Sequence, residues 1–347
     1  MGTEGSFNRR RFLQSAFAFS AATVLAGCGD EFIYTGKPDP VTGGVSHILM
    51  IGDWATDDAS GSLSDQAQVA AGMQAYVAKY NLSPDALFML GDNFYGDMTG
   101  GVKNSRWQTQ FEQMYPISVF EGPAYAVPGN HDYQNAPESK FQTELAYAQT
   151  RRSRWTMPGR YYSFTFPETD PTVTFIALDS NMPNEPANPP PLDGSYYTPT
   201  DADRLEQLQW LQTTLQQPLT TPFLVVLGHH PVYSNGEHGD NQTLIRDWDP
   251  LFRQYGVHLY LAGHDHDMQH LEFAGHPTSF FMSGGGGARL DPLLQQASAR
   301  GPFAQVVHGF SHLQVRPDLM ILRHLDPLGN LMHKFTKTPD GTVTIIL

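Results

Sequence analysis

Ala86-Leu87-Phe88-Met89-Leu90-Gly91-Asp92-Asn93-Phe94-Tyr95 sets the reading of this chain. An unbroken apolar run ends at a glycine, and an acid and other polar side chains follow. Short apolar runs bounded by glycine read as buried strands. The same phrase recurs at His47–Ile51 before Gly52-Asp53-Trp54, and at Ala124–Pro128 before Gly129-Asn130-His131-Asp132. It returns at Phe223–Leu227 before Gly228-His229-His230, and at Val257–Ala262 before Gly263-His264-Asp265-His266.

Helix-like segments lie between these runs. Ser62–Tyr80 is Ala- and Gln-rich and stops before Asn81. Asn104–Tyr115 is amphipathic. Thr200–Gln217 opens Thr-x-Ala-Asp, with Leu205, Leu208, Leu211 and Leu215 expected on one face. Gln242–Tyr255 reads as one further helix. Strands alternating with helices imply an α/β layered fold. From Phe280 onward strands predominate: Phe280–Ser283, Phe310–Val315, Leu319–Leu325, Leu331–Phe335 and Val343–Leu347, with a hairpin turn at Asp326–Asn330. Nothing in the pattern calls for a second domain, so residues 46–347 read as a single domain. Met182–Pro199 is Pro-rich and reads as an ordered or lid-like surface loop.

The net charge of -14 excludes a surface built to grip nucleic acid. It also repels an anionic ester, unless bound cations reverse the sign locally. The 14 histidines offer ligands for such cations. Cys28 is the single cysteine, which excludes an intramolecular disulfide and a thiolate zinc site.

The first 27 residues read as an address. Arg9-Arg10-Arg11-Phe12-Leu13 is followed by a small-residue apolar stretch from Ala16 to Gly27, too short to cross a membrane as a helix. The Arg-Arg pair resembles a twin-arginine (Tat) signal, which exports folded proteins. Leu25-Ala26-Gly27-Cys28 resembles a bacterial lipobox, implying cleavage before Cys28 and lipidation of its sulfur. Residues 28–45 would then be a lipid-attached linker. The expected location is the cell envelope, anchored outside the cytoplasmic membrane or at the outer membrane, with no protein partner evident.

Each apolar run delivers a residue that can bind metal. Ligands gather beyond the carboxyl ends of strands in layered α/β folds, so these residues should converge. A lone Gly-Asp is more often a turn or helix cap. Five such pieces in one order carry far more weight than any one of them.

The order GD…GDNFY…GNHD…GHHP…GHDH resembles that of the calcineurin-like metallophosphoesterases. Tyr95 narrows the resemblance to the purple acid phosphatases, above all their small, tartrate-resistant type. It runs from Ser46 to the C-terminus and takes in Asn235-Gly236-Glu237-His238-Gly239 and Gly309-Phe310. The family implies a four-layer sandwich of two mixed β-sheets flanked by helices. It implies a first metal held by Asp53, Asp92, Tyr95 and His266. A second would be held by Asp92, Asn130, His229 and His264, with Asp92 bridging. A free phenol has a pKa of about 10, so a phenolate ligand at low pH calls for a hard trivalent ion such as Fe(III). The second set, with neutral Asn and two imidazoles, suits Fe(II), Zn(II) or Mn(II). The implied reaction is acid hydrolysis of a small phosphate monoester, with metal-bound hydroxide as nucleophile. His131 and His238 are the expected catalytic histidines, with Asp132 orienting His131. Asn93, His230 and Glu237 are expected to meet substrate.

Departures from the family pattern are Ala55, where a glycine is usual, and His230, where an aromatic residue is expected. Gly284–Gly287 either approaches the site or turns the chain. The remaining histidines, among them His47, His258, His270, His276, His308, His312, His324 and His333, are assigned to structure. Three other functions stay open: a phosphodiesterase or nucleotide hydrolase on the same fold, a lipid-tethered protein that binds iron or phosphate without hydrolysis, and an inactive scaffold.

Overall fold

The computed structural model describes residues 44–56, 61–134, 140–150, 153–181, 199–296 and 300–347. The signal segment 1–27, Cys28, nearly all of the 28–45 linker and the Pro-rich loop at 182–198 lie outside these residues. The elements run β1 (Ser46–Ile51), α1 (Leu63–Tyr80), β2 (Ala86–Met89), β3 (Ala124–Ala126), α2 (Lys140–Ala148), β4 (Trp155–Thr156), β5 (Tyr162–Phe166) and β6 (Val173–Ala177). Then come α3 (Asp201–Leu215), β7 (Phe223–Leu227), α4 (Gln242–Asp247), α5 (Asp249–Tyr255), β8 (Leu259–Ala262), β9 (Met268–Leu271) and β10 (Ser279–Ser283). The chain closes with β11 (Phe303–Gln305), β12 (Phe310–Arg316), β13 (Leu319–Leu325), β14 (Leu331–Lys337) and β15 (Val343–Ile345).

Among the described residues these strands form two mixed sheets. One is ordered β15-β14-β13-β12-β1-β2-β3-β4, the other β11-β9-β10-β8-β7-β6-β5. In the first sheet β1, β2, β3 and β4 are parallel, and β12 joins β1 antiparallel. In the second, β6, β7, β8 and β10 are parallel, and β5 and β9 flank them antiparallel. The carboxyl ends of the parallel strands carry the site.

Side-chain alternation along the strands decides the layers. Ile48, Met50 and Phe88 from the first sheet meet Val225, Leu227 and Phe281 from the second in one buried core. The alternate residues Leu49 and Ile51 turn outward onto Val69, Met73, Tyr76 and Val77 of α1. Likewise Leu224 and Val226 pack outward with Leu211, Leu215 and Phe252. The result is the expected helix–sheet–sheet–helix sandwich. Each large apolar side chain fully buried this way contributes about 1.5–3 kcal/mol.

Local chemistry fixes the helix ends. Ser62 accepts the Ser64 N–H at 3.2 Å, and Asn81 closes α1 in the left-handed region at φ 50°. Thr200 and Asp203 form a reciprocal capping box at the start of α3. The Asp326–Asn330 turn is present, with Asp326 N–H donating to Asn330 O at 3.0 Å.

Several expectations need correction. Leu211 and Leu215 are buried, but Leu205 is 54% exposed. At 100° per residue, Leu205 lies about 120° around the helix from Leu211, so Gln207 takes the inward place. Gln242–Tyr255 is two helices broken at Trp248, because Pro250 has no N–H to continue the hydrogen-bond ladder of the first. Asn104–Tyr115 contains a π-helical segment, Trp107–Glu112. The sequence reading missed β4, β5, β6, β9 and β11.

Candidate metal centre

Asp53 follows β1, Asp92 follows β2, Asn130 follows β3, His229 follows β7, and His264 and His266 follow β8. The first three come from one sheet and the histidines from the other. Gly91 permits the junction. Its φ is 87°, and a Cβ there would lie 2.5 Å from Nδ1 of His229.

Asp53, Asp92 and His266 bring ligand atoms within 4.8 Å of one another. Tyr95 Oη lies 3.2 Å from Asp53 Oδ1 and 2.9 Å from His266 Nε2. On the other side, His229 Nε2 lies 3.1 Å from Asn130 Oδ1, 3.4 Å from Asp92 Oδ2 and 3.3 Å from His264 Nδ1. All seven expected ligand side chains thus gather in one place, with Asp92 between the two groups.

The donor set fits a pair of cations. His229 Nδ1 lies 2.9 Å from the Leu90 carbonyl and His266 Nδ1 2.7 Å from the Arg289 carbonyl. A carbonyl accepts only, so each Nδ1 carries hydrogen, and in the neutral ring each Nε2 turns a lone pair inward. Those lone pairs meet the oxygens of Asp92, Asn130, Asp53 and Tyr95. Electron-pair donors converging in a buried place need a cation or protons between them.

Without metal, protons take that role. Burial disfavours charge on His229, but the Asp92 and Asp53 carboxylates reverse this and raise its pKa to about 9. Burial also opposes charge on His266, and its contact with Asp53 raises it to about 10. Burial pushes Asp53 up, against the pull of His229. Asp92 ends well below the carboxylate range: burial acts upward, and His229 and His131 outweigh it. Burial and the two carboxylates hold the Tyr95 phenol well above its usual value.

The loops beneath are held tightly. Asp53, Asp92 and His264 have φ of 61°, 47° and 72°. Non-glycine residues in such conformations cost about 1–3 kcal/mol each and persist where surrounding contacts enforce them. His264 N–H donates to Asp53 Oδ2 at 2.9 Å, and His131 N–H to Asp92 Oδ1 at 2.7 Å. Arg106 donates to the carbonyls of Ala55 and Tyr95, tying the first loop to the second. The glycine run packs against this floor: Gly286 N–H donates to Gly52 O at 3.1 Å, and Ala288 N–H to Asp53 O at 2.9 Å. Residues 263–267 form tight turns rather than an extended strand, through Asp265 N–H to Gly263 O and Asp267 N–H to Asp265 O. His264 and His266 still face the site, while Asp265 turns back.

The expected substrate and catalytic residues divide. His131 is partly exposed, its ring 4.3 Å from that of Tyr95. His238 lies at the mouth, 45% exposed, its ring 4.1 Å from that of His264. Its Nδ1 is 2.9 Å from Asp265 Oδ1, and that hydrogen bond raises its pKa. Glu237 is exposed beside it. His230 lies against His264, with ring centres 4.2 Å apart.

Asn93 and Asp132 are not where the sequence reading put them. Asp132 does not orient His131; it is fully buried and accepts the backbone N–H groups of Asn93, Phe94 and Gly129. The Asn93 side chain is also fully buried, away from any substrate. Its Nδ2 donates to Val127 O, Asp132 Oδ2 and Glu144 Oε2, and its Oδ1 accepts from Trp54 Nε1. The two residues brace the Asp92–Tyr95 loop. Glu144 was missed, and its carboxyl is pushed well up by burial and by Asp132. Asp265 and Ser180 were missed too. Asp265 stands in plain view between two histidines, whereas Ser180 follows a strand that lacks the terminal glycine.

The other histidines are engaged elsewhere: His47 with His312, His270 with His333 and Glu272, His276 with Asp249, and His324 with Ser311 and the Gln269 carbonyl. His258 contacts the Pro339 carbonyl and His308 the Ala288 carbonyl.

Fold and site together define a phosphoesterase. The calcineurin-like phosphoesterase family matches residues 46–268, more than half of the chain, and the chain belongs to that family. Among characterised relatives it is similar to tartrate-resistant acid phosphatase type 5 of Oryctolagus cuniculus, 28% identical over 312 residues, covering 84% of this chain and 90% of that protein. It is 29% identical over 292 residues to purple acid phosphatase 17 of Arabidopsis thaliana, covering 80% of each. In three dimensions it resembles a purple acid phosphatase from yellow lupin seeds, with TM-score 0.62, 17% identity, and coverage of 87% of this chain and 55% of that one.

Proposed function

We propose that this chain is an acid phosphatase that hydrolyses small phosphate monoesters with a ferric–divalent metal pair. The observation carrying the reading is the position of Tyr95, whose oxygen stands 2.9 Å from His266 Nε2 and 3.2 Å from Asp53 Oδ1. Asp53, Asp92, Tyr95 and His266 would hold the iron. Asp92, Asn130, His229 and His264 would hold Fe(II), Zn(II) or Mn(II). Such a pair supplies Lewis acidity toward phosphoryl oxygens and ionises water at acidic pH.

The side chains supply the rest. Hydrolysis joins the oxygen of water to phosphorus and breaks the bond to the alcohol oxygen. That oxygen departs with the bonding electron pair and needs a proton. His238 can deliver it from Nε2, because Nδ1 is committed to Asp265. His131, beside Tyr95 and 3.9 Å from Asp92, can hold the phosphate through a ring N–H. The acidic surface keeps nucleic acid out of the proposal.

The test is a monoester assay at acidic pH on metal-loaded protein, with a visible spectrum and metal analysis. Expected are turnover, two metals per chain and a visible phenolate–iron band that Tyr95→Phe abolishes without unfolding the protein. A loaded sample that cleaves neither aryl nor alkyl monoesters sinks the proposal. A colourless, active protein with two divalent ions would move the reading toward an ordinary metallophosphoesterase, and a diester assay would follow. We also propose export by the twin-arginine route and lipid anchoring at Cys28. Retention of mature Cys28→Ser at the membrane would refute the anchor.

A further inference from the structure

Ser180 lies just beyond β6 and is buried, 1% exposed. Its Oγ stands 3.0 Å from His229 N, 2.8 Å from His230 N and 2.8 Å from His230 Nδ1. A hydroxyl has two lone pairs and one hydrogen. The two backbone N–H groups can only donate, so they take both lone pairs. The hydroxyl hydrogen is left for His230 Nδ1, which must accept it. His230 is therefore an uncharged imidazole whose hydrogen sits on Nε2. Tyr260 fixes the backbone beneath, its Oη donating to His230 O at 2.6 Å.

His230 Nε2 has no hydrogen-bond partner among the described residues, and it is not among their buried unsatisfied atoms. It is thus within reach of solvent, on a ring that lies against His264. The ring contacts of His230, His238 and His264 are with one another and with His229, not with a phenyl, phenol or indole ring among the described residues. This wall offers hydrogen bonds rather than an aromatic surface.

From this, and resting on the monoesterase reading above, we propose that His230 selects for the alcohol half of the ester. Its Nε2–H donates to an oxygen of a polyol or sugar-like leaving group, and Ser180 is the positioning residue that holds the tautomer. An aryl leaving group has no such oxygen beyond the one bonded to phosphorus.

The test compares kcat/KM for glycerol 2-phosphate and phenyl phosphate in metal-loaded wild type, His230→Phe, Ser180→Ala and Ser180→Thr. His230→Phe should lower the glycerol-to-phenyl ratio by roughly fivefold to tenfold, the worth of one neutral hydrogen bond. Ser180→Ala should move the ratio the same way, and Ser180→Thr, which keeps the hydroxyl, should restore it. A second readout needs no turnover. The 15N spectrum of histidine-labelled, metal-free protein should show His230 Nδ1 bare and Nε2 protonated, with that pattern lost in Ser180→Ala. An unchanged ratio in His230→Phe, or hydrogen on Nδ1 in the wild type, overturns the proposal and leaves the monoesterase reading standing. A wild type that hydrolyses neither ester overturns both.

Discussion

Replacing Asn93 by Ala separates a brace from a substrate contact. In the folded protein the side chain satisfies Trp54 Nε1, Val127 O and Glu144 Oε2, at 3.3, 3.0 and 3.0 Å. Alanine leaves these buried groups without that partner. Each costs about 1–3 kcal/mol. Asp132 suffers less, because the backbone N–H groups of Gly129, residue 93 and Phe94 remain. The expected loss is about 3–9 kcal/mol, a large part of the roughly 5–15 kcal/mol that holds a domain together. Denaturant titration of the metal-free protein at neutral pH measures it directly, with m-values checked for constancy. The variant should also bind metal more weakly, since the Asp92–Tyr95 loop loses its support. The reasoning fails if the stability loss stays below about 1 kcal/mol while KM for the ester rises. That pairing would return Asn93 to the substrate.

Further perturbations address other parts of the structure. Gly263→Ala places a Cβ 2.5 Å from Asp53 Oδ2, so the carboxylate must move, and metal analysis should find less bound metal in protein that still folds. Leu211→Ala should cost about 2–5 kcal/mol as a cavity in the core, and exposed Leu205→Ala under about 0.5 kcal/mol by thermal melting; equal losses would contradict the observed helix face. Acidity should act in opposite directions on the two forms of the protein. The elevated pKa values of His229 and His266 stabilise the metal-free fold below pH 6.5, and that contribution is lost as pH rises toward about 9 and 10. Metal binding must displace those protons, so affinity should rise over the same window. Melting curves of both forms against pH should diverge, and parallel curves would deny the proton–metal exchange.

The glycine-terminated runs were legible because each is a largely buried strand, mostly apolar on both faces, and such strands carry their signature in a few residues. β6 escaped because Ala177-Leu178-Asp179 has no glycine to mark its end. β5 escaped because only Phe166 of Tyr162–Phe166 is buried, so its polar residues broke the run. The candidate ligands were legible for the same reason as the strands: each polar side chain sits where an apolar run stops. What the sequence hid was direction. Asn93 and Asp132 stand between site residues in the chain, yet their side chains turn down into the core, toward a Glu144 that lies on a separate helix. The chain turns at Asp92 with a positive φ, a geometry the residue sequence does not display.

The two halves of the centre hang from different sheets: Asp53, Asp92 and Asn130 from one, His229, His264 and His266 from the other. Cations bound across that seam would act as rivets. The sheets could not part until the rivets came out, so the lifetime of the loaded protein would follow metal dissociation rather than its equilibrium stability. The converse governs assembly. Neither sheet alone carries a complete set of ligands, so a refolding chain could take up its metals only after its two halves had met. The onset of metal uptake in a refolding mixture would therefore time the docking of one sheet on the other.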